Sequence, residues 1–408
     1  MNNQIESKKV YSTIKVMAKN GSLLSEKLVR VCQKKHSFLF GTAAFDTVPL
    51  AGGEYSGKEL EAAQVRADKL VALFNAATLP FYWGPFEPEE GKPRTEPLRK
   101  AAQWCVDHNL KVKGHPLCWH TMCADWLLKY SNEEILKQQK ARIRREVAGF
   151  KGLIDMWDVI NEAVIMPVFD RYDNAITRIC KEMGRIQLIR TVFETARAEN
   201  PGAVFLINDF DMSDAYDILV EGCLECGIKI DVIGLQSHMH QGYWGMEKTQ
   251  KILERFSRFN LPIHFTETTL VSGRLMPPEI VDLNDYQVTD WPTTPEGEER
   301  QARETITHYE TLFAHPLVEG ITWWDMRDGE WLNAPAGLIR RDGSSKPAYD
   351  ELMKRVKGEW WLLPVELKTD GNGEVKFAGF PGEYELSVDG DRKTFTVDKK
   401  SDTIEIHL

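Results

Sequence analysis

Met156-Trp-Asp-Val-Ile-Asn-Glu-Ala-Val164 opens as a strand and closes as something else. Trp157, Val159 and Ile160 are apolar and suit a buried sheet. Asn161 and Glu162, at its end, are polar groups that no strand needs in order to fold. A second run, Leu261-Pro-Ile-His-Phe-Thr-Glu-Thr-Thr-Leu270, also delivers a single carboxylate, Glu267, near its end. A carboxylate at the C-terminal end of a buried strand belongs to an active site more readily than to a core. Two glutamates on two separate strand ends meet the requirement of glycosidic bond cleavage, which uses a carboxyl group on each side of the bond.

Working outward from these two runs, the same pattern occurs eight times. Short apolar runs stand at Ser37–Phe45, Leu73–Tyr82, Lys111–Trp119, Met156–Val164, Val204–Phe210, Asp231–Met239, Pro262–Leu270 and Gly320–Met326. Each leads through a loop into a stretch with helical periodicity. These stretches are Gly57–Leu73, Glu96–His108, Asn132–Phe150, Glu182–Glu199, Ser213–Cys226, Met246–Phe259, Glu298–Phe313 and Pro347–Val356. Strands that alternate with helices pair in parallel. The α/β fold class expected is therefore a (β/α)8 TIM barrel over residues 36–358. An open doubly wound sheet would want a glycine-rich first turn, and Phe40-Gly-Thr-Ala-Ala44 is not one. Polar residues crowd where the runs end: Cys118-Trp-His120, Asn161-Glu162, Asn208-Asp209, Gln236-Ser-His238, Glu267 and Trp323-Trp-Asp325. A satisfied buried polar group explains one or two such endings, not six.

The ends of the chain read differently. Within residues 1–35, residues 10–31 alternate weakly and turn at Asn20-Gly21, which predicts a short N-terminal β-hairpin extension. Residues 359–408 alternate apolar and polar between turns at Asp370-Gly371, Pro381-Gly382 and Asp389-Gly390. That predicts a small C-terminal all-β module, too small to stand alone and so packed on the barrel, with the N-terminal strands as candidate partners. Its strands offer no exposed aromatic platform, so a structural role is expected. The loop from Val271 to Gly297 is long and sits at the expected catalytic face, where it is positioned to shape a cleft.

Composition narrows the partners. The 408 residues are 42% hydrophobic and carry a net charge of −10. That balance argues against nucleic acid, and no run of apolar residues is long enough to span a membrane. The polar start Met1-Asn-Asn-Gln-Ile-Glu-Ser-Lys-Lys9 lacks an apolar export core. A cytoplasmic location is expected for the chain as it stands, with secretion or a periplasmic location as the alternative if a leader has been removed. The seven cysteines show no disulfide framework; Cys223 and Cys226 fall within a helical stretch and read as packing residues. No phosphate-binding glycine loop is present, so no cofactor is expected. His238-Met-His240 is a His-x-His at a strand end, but His115 and His264 do not lie at strand ends to complete a metal set, and no metal is expected. A monomer is expected.

Several of these stretches together resemble one family. Gly114-His-Pro-Leu-Cys-Trp-His120 with Trp126-Leu127, Trp157-Asp-Val-Ile-Asn-Glu-Ala163, Gly234-Leu-Gln-Ser-His238, Pro262-Ile-His-Phe-Thr-Glu267 and Lys346-Pro-Ala-Tyr349 are similar, in order and spacing, to motifs of glycoside hydrolase family 10, the β-1,4-xylanase family. The resemblance runs from about Phe38 to Leu352. It implies a retaining hydrolase acting on xylan or xylo-oligosaccharides, with Glu162 as acid/base and Glu267 as nucleophile. It further implies Asn161 at the sugar 2-hydroxyl, His238 orienting the nucleophile, Gln236 and His120 lining the same subsite, and Trp83, Trp324 and Trp331 against the sugar.

The chain departs from the family in two places. Where most members end the second strand with Glu-Asn-Glu-Met-Lys-Trp, this one has Thr78-Leu-Pro-Phe-Tyr-Trp83, so Leu79, Pro80 and Tyr82 stand in for sugar-binding polar groups. Each lost hydrogen bond that leaves a partner unpaired costs about 1–3 kcal/mol. A different or decorated glycan, or a glycan-binding protein without catalysis, is the alternative this change raises. The family's Thr-Glu-Leu-Asp is here Thr266-Glu-Thr-Thr269, so a hydroxyl stands where a carboxylate supports the histidine.

Overall fold

The structure is a computed structural model and describes residues 5–399 and 403–408. Expectations that fall on residues 1–4 and 400–402 lie outside the described residues. In chain order the strands are β1 (Val10–Met17), β2 (Leu28–His36), β3 (Leu39–Ala43), β4 (Ala76–Pro80), β5 (Lys111–His115), β6 (Met156–Asn161), β7 (Val204–Asp209), β8 (Val232–Met239), β9 (Ile263–Leu270) and β10 (Val318–Trp323). They are followed by β11 (Val365–Lys368), β12 (Glu374–Gly379), β13 (Gly382–Val388), β14 (Asp391–Val397) and β15 (Thr403–His407).

Strands β3 to β10 close into a barrel in sequence order, with β10 beside β3 and every pair parallel. Both faces of each strand are covered, so every residue of β6 and β9 is buried, polar ones included. The helices fall where periodicity predicts, with one difference. The helix predicted over 182–199 begins at Arg185, and a separate helix that was not predicted, Ala175–Met183, precedes it. Gly184 between them has φ 80°, a left-handed conformation that glycine tolerates, and it turns the chain there.

The N-terminal hairpin expectation is corrected. Beyond one bridge, Met17 to Leu23, strands β1 and β2 do not pair with each other. β1 lies between β12 and β15, and β2 lies between β11 and β13, with β14 on the outer side of β13. The two sheets enclose one core of Ile14, Val16, Val29, Val31, Phe377, Tyr384, Leu386 and Ile406. Both chain ends thus build one sandwich, because a strand's partner is chosen by apolar face rather than by the nearest turn.

An aromatic cluster joins the sandwich to the barrel. Trp360 stacks on Phe313 at 4.6 Å and on Phe40 at 5.9 Å, while His36 meets Phe40 and Phe380 at 5.4 and 5.6 Å. Phe38 and Phe40 mark the start of β3, so the sandwich sits at the N-terminal end of the barrel, opposite the strand ends where chemistry is expected. Among the described residues no helix is long and apolar enough to cross a membrane. Trp360→Ala should cost about 3–5 kcal/mol of stability by leaving a cavity at this junction. Denaturant unfolding of the full chain measures it.

Candidate active site

The C-terminal ends of the barrel strands open into a cleft of about 1070 Å³. Its floor holds Glu162, Glu267, Asn161, Gln236, His238, His115 and Tyr82; Trp324, Trp331, Trp119 and His120 rise around them. Eight of the nine site residues expected from sequence are therefore together. The ninth, Trp83, is corrected. It opens the short helix Trp83–Phe86 after β4, and that turn carries its indole beneath the loop. There it donates to Glu87 Oε2 at 3.1 Å, meets Trp126 edge-on at 5.8 Å and lies under the Arg142 guanidinium. Tyr82, one residue earlier, faces the cleft instead, with its ring 5.5 Å from Trp119, 5.7 Å from His115 and 5.9 Å from Phe45. Burial and the nearby Glu267 and Glu162 push its phenol well above the usual range.

Barrel register sets the two carboxyl groups in unlike surroundings. Glu162 follows β6 with φ 57°, a left-handed conformation that costs a non-glycine residue about 1–3 kcal/mol. Its N–H donates to the Asn208 carbonyl at 2.8 Å, which holds it there. Its Oε2 accepts from the Trp119 indole at 2.8 Å, and its Oε1 lies 3.3 Å from both the Gln236 and the Asn161 amide nitrogens. Burial pushes the Glu162 carboxyl up to about 8, helped by Asp209 and Glu267; the neutral indole and amide donors only partly oppose this.

Glu267 is buried too, but the neighbouring imidazoles and the Lys113 ammonium outweigh that burial. His115 Nε2 stands 3.8 Å from Oε1, His238 Nε2 3.0 Å from Oε2, and Asn208 Nδ2 donates to Oε1 at 3.0 Å. His115 is in turn bound through Nδ1 to Asp158 at 2.7 Å, and Asp158 pairs with Lys113 at 2.7 Å. The result holds the Glu267 carboxyl below its ordinary value. One carboxyl of the pair thus keeps its proton near neutral pH and the other gives it up, the division that a retaining double displacement needs.

Sequence reasoning passed over three of these groups. Asn208 spans the pair: its carbonyl accepts from Glu162 N–H, and its side chain donates to Asn161 Oδ1 at 2.8 Å and to Glu267. It can lie flat because Gly234 is opposite, where a Cβ would come within 2.5 Å of Asn208 Oδ1. Trp119 sits in a strand ending that the sequence did single out, whereas His115, read as lying short of the strand end, is corrected: it is the last residue of β5. The remaining expected residues fall as follows. His120 is buried against Phe169 at 4.5 Å, and burial pushes its imidazole down to about 4. Trp331 lies 4.5 Å from His238, and Trp324 meets His238 and His115 edge-on at 6.0 and 5.3 Å. The loop after β9 brings Val281, Asp282, Leu283 and Asn284 to the cleft, and Arg171 ties it across by bonding Asp285 at 2.7 Å. No residue of the sandwich lines the cleft among the described residues.

Comparison with known proteins follows from this geometry. The profile of Glycosyl hydrolase family 10 matches residues 48–355. An endo-1,4-beta-xylanase/feruloyl esterase of Xylanibacter ruminicola is 30% identical over 48% of this chain and 30% of its own length. Endo-1,4-beta-xylanase B of Thermotoga neapolitana is 29% identical over 45% of this chain and 54% of its own. The chain thus spans about half or less of these two relatives. Among solved structures, a family 10 enzyme from Paenibacillus barcinonensis overlays with a TM-score of 0.64 at 23% identity, covering 79% of this chain and 96% of that one. Xylanase 10B from Thermotoga maritima overlays with a TM-score of 0.62 at 22% identity, covering 79% and 96%. These overlays establish the barrel fold.

The charge division is open to direct measurement. The Glu162 carboxyl resonance should titrate near pH 8, and Trp119→Phe should move that titration upward, because the indole donor favours the charged form. A carboxyl raised in the folded state favours folding below its unfolded value and loses that contribution as pH rises through about 8. Denaturation at pH 5 and pH 9 should therefore show Glu162→Gln gaining stability over wild type at the higher pH.

Proposed function

Because the chain belongs to glycosyl hydrolase family 10, we propose that it is a retaining glycoside hydrolase that cleaves β-1,4-xylosidic bonds in xylan or xylo-oligosaccharides. The observation that carries the reading is the pair Glu162 and Glu267, joined through Asn208 and poised in opposite protonation states. In the first step Glu267 attacks the anomeric carbon while Glu162 gives its proton to the leaving oxygen, forming a covalent glycosyl-enzyme. In the second, Glu162 takes a proton from water, which attacks the same carbon as its bond to Glu267 breaks, releasing Glu267 as a carboxylate and restoring the original configuration.

The other residues bind and orient. His238 and Asn208 fix the nucleophile by their bonds to its two oxygens. Asn161 has its oxygen occupied by Asn208 and Gln236 and one amide N–H given to Glu162 Oε1 at 3.3 Å, which leaves its other N–H for a sugar hydroxyl. Trp324 and Trp331 offer flat apolar walls to the ring faces. The substrate partner is accordingly a polysaccharide or oligosaccharide chain.

A second reading concerns the sugar on the nucleophile side. Tyr82, Trp119 and Phe45 form an aromatic wall where the family pattern has charged and amide donors. This favours a β-glycan with fewer hydroxyl contacts at that position, or a decorated one. The two readings part on a panel of xylan, xylo-oligosaccharides and other β-glycans with product sizes resolved.

Wild type should cleave xylo-oligosaccharides, and Glu267→Ala should abolish turnover and regain it with azide, giving a glycosyl azide of inverted configuration. Glu162→Ala should lose about 10²–10⁴ in rate on substrates with poor leaving groups and far less on activated aryl glycosides. Cleavage of a non-xylan β-glycan in place of xylan would leave the mechanism standing and move the substrate to the second reading.

A further inference from the structure

Of the His-x-His at the end of β8, His238 already holds Glu267, while His240 is unused by the chemistry so far. The hydrogen bonds around it form one line across β8 and β9. His238 Nε2 lies 3.0 Å from Glu267 Oε2, and His238 Nδ1 lies 3.3 Å from Thr269 Oγ1. The same hydroxyl lies 3.3 Å from His240 Nδ1. Strand register makes this line: His238 is the direct partner of Thr269, and His240 follows two residues along, on the same side. Thr269 and His240 are fully buried. The His240 ring rests against Trp331 at 5.0 Å and Trp291 at 6.2 Å, and its Nε2 is buried without a hydrogen-bond partner among the described residues.

We propose that Thr269 and His240 are a positioning pair that holds the His238 ring with its proton on Nε2, aimed at Glu267. The inference rests on Glu267 being the nucleophile. An ionised carboxylate only accepts, so His238 must present N–H through Nε2. The other nitrogen of a neutral imidazole is then an acceptor, and Thr269 supplies it with a hydroxyl proton. A hydroxyl has one proton to give, so its oxygen must accept from the second contact, His240 Nδ1–H. That leaves His240 Nε2 as a bare acceptor, and the structure has it buried without a partner. An orphan acceptor is tolerated more often than an orphan N–H, which the reverse direction would create. Burial also keeps His240 from carrying a proton in exchange, pushing its imidazole down to about 3.

Around His238 the contacts are Glu267, Thr269, His240 and the rings of Trp324 and Trp331, and Glu267 alone among them carries a charge. The nucleophile is therefore oriented by a directed neutral hydrogen bond, in a position where the family pattern places a carboxylate behind the histidine. The His-x-His thereby has a role that needs no metal.

Long-range proton–nitrogen correlation spectra of the full chain, labelled at histidine, read each ring directly at pH 7. His238 should carry its proton on Nε2 and His240 on Nδ1. Thr269→Val should give a mixture of His238 tautomers, with turnover of an aryl β-xyloside down about 10-fold. Thr269→Ser should restore the wild-type tautomers, and Thr269→Asp should leave His238 protonated on both nitrogens. A wild type with the proton of His238 on Nδ1, or a valine variant with unchanged tautomers, overturns the proposal. Absence of turnover with the tautomers as stated supports the pair and counts against the substrate assignment instead.

Discussion

Two carboxyl groups that share one water-poor cleft cannot both be charged without help, and the mouth of this barrel is arranged around that constraint. Help is given to one side only. Glu267 receives an imidazole, an amide and the His115–Asp158–Lys113 line, whereas Glu162 receives an indole and two long amide contacts. Asn208 belongs to both sides: its backbone holds the strained Glu162 and its side chain holds Glu267. Because β7 lies between β6 and β8, one residue can do this only while those strands keep their register, and Gly234 is the space it requires. Packing at the barrel end and proton affinity at the catalytic pair are thus one problem.

The barrel was legible because its signal is repeated and local. Each strand is an apolar run of a few residues, each helix has its own period, and a misjudged boundary such as Gly184 does not disturb the order. The two cleft carboxyl groups were legible because a lone carboxylate at a strand end stands out against apolar neighbours. What stayed hidden depends on direction or on distance along the chain. Tyr82 and Trp83 are adjacent aromatics, and only the turn of a four-residue helix decides which one faces the cleft. β1 looked like half of a hairpin because a turn follows it, yet its partners lie more than 350 residues away. Asn208 looked like one more polar strand end, because its role comes from reaching across two neighbouring strands.

The joining of both chain ends into one sandwich has a mechanical meaning for the barrel. β2 runs straight into β3 with only Ser37 and Phe38 between them, and Trp360 follows the last helix of the barrel closely. The first and last barrel strands, β3 and β10, also pair with each other to close it. The sandwich therefore clamps the seam, and the Phe313–Trp360–Phe40 stack is where its burial is transmitted. Its distance from the strand ends separates this stabilising role from the cleft, so the loops there are free to vary without disturbing closure.

The change at the end of β4 links recognition to acidity. An ammonium and an amide at that place would hydrogen-bond a sugar, and the ammonium would also draw both carboxyl groups toward ionisation. Tyr82 does neither in that way. Its ring, with Trp119 and Phe45, excludes water from the same space that Glu162 and Glu267 face. Excluding water and removing a positive charge both favour the neutral form of a carboxyl group. For Glu267 this is opposed by the His238 hydrogen bond and the His115–Asp158–Lys113 line, which belong to other strands and are unaffected; for Glu162 only indole and amide donors oppose it. An aromatic residue at this place therefore leaves Glu162 better protonated and Glu267 still ionised. The unlike charge states of the two carboxyl groups do not depend on polar contacts at the end of β4, because each draws its own from different strands.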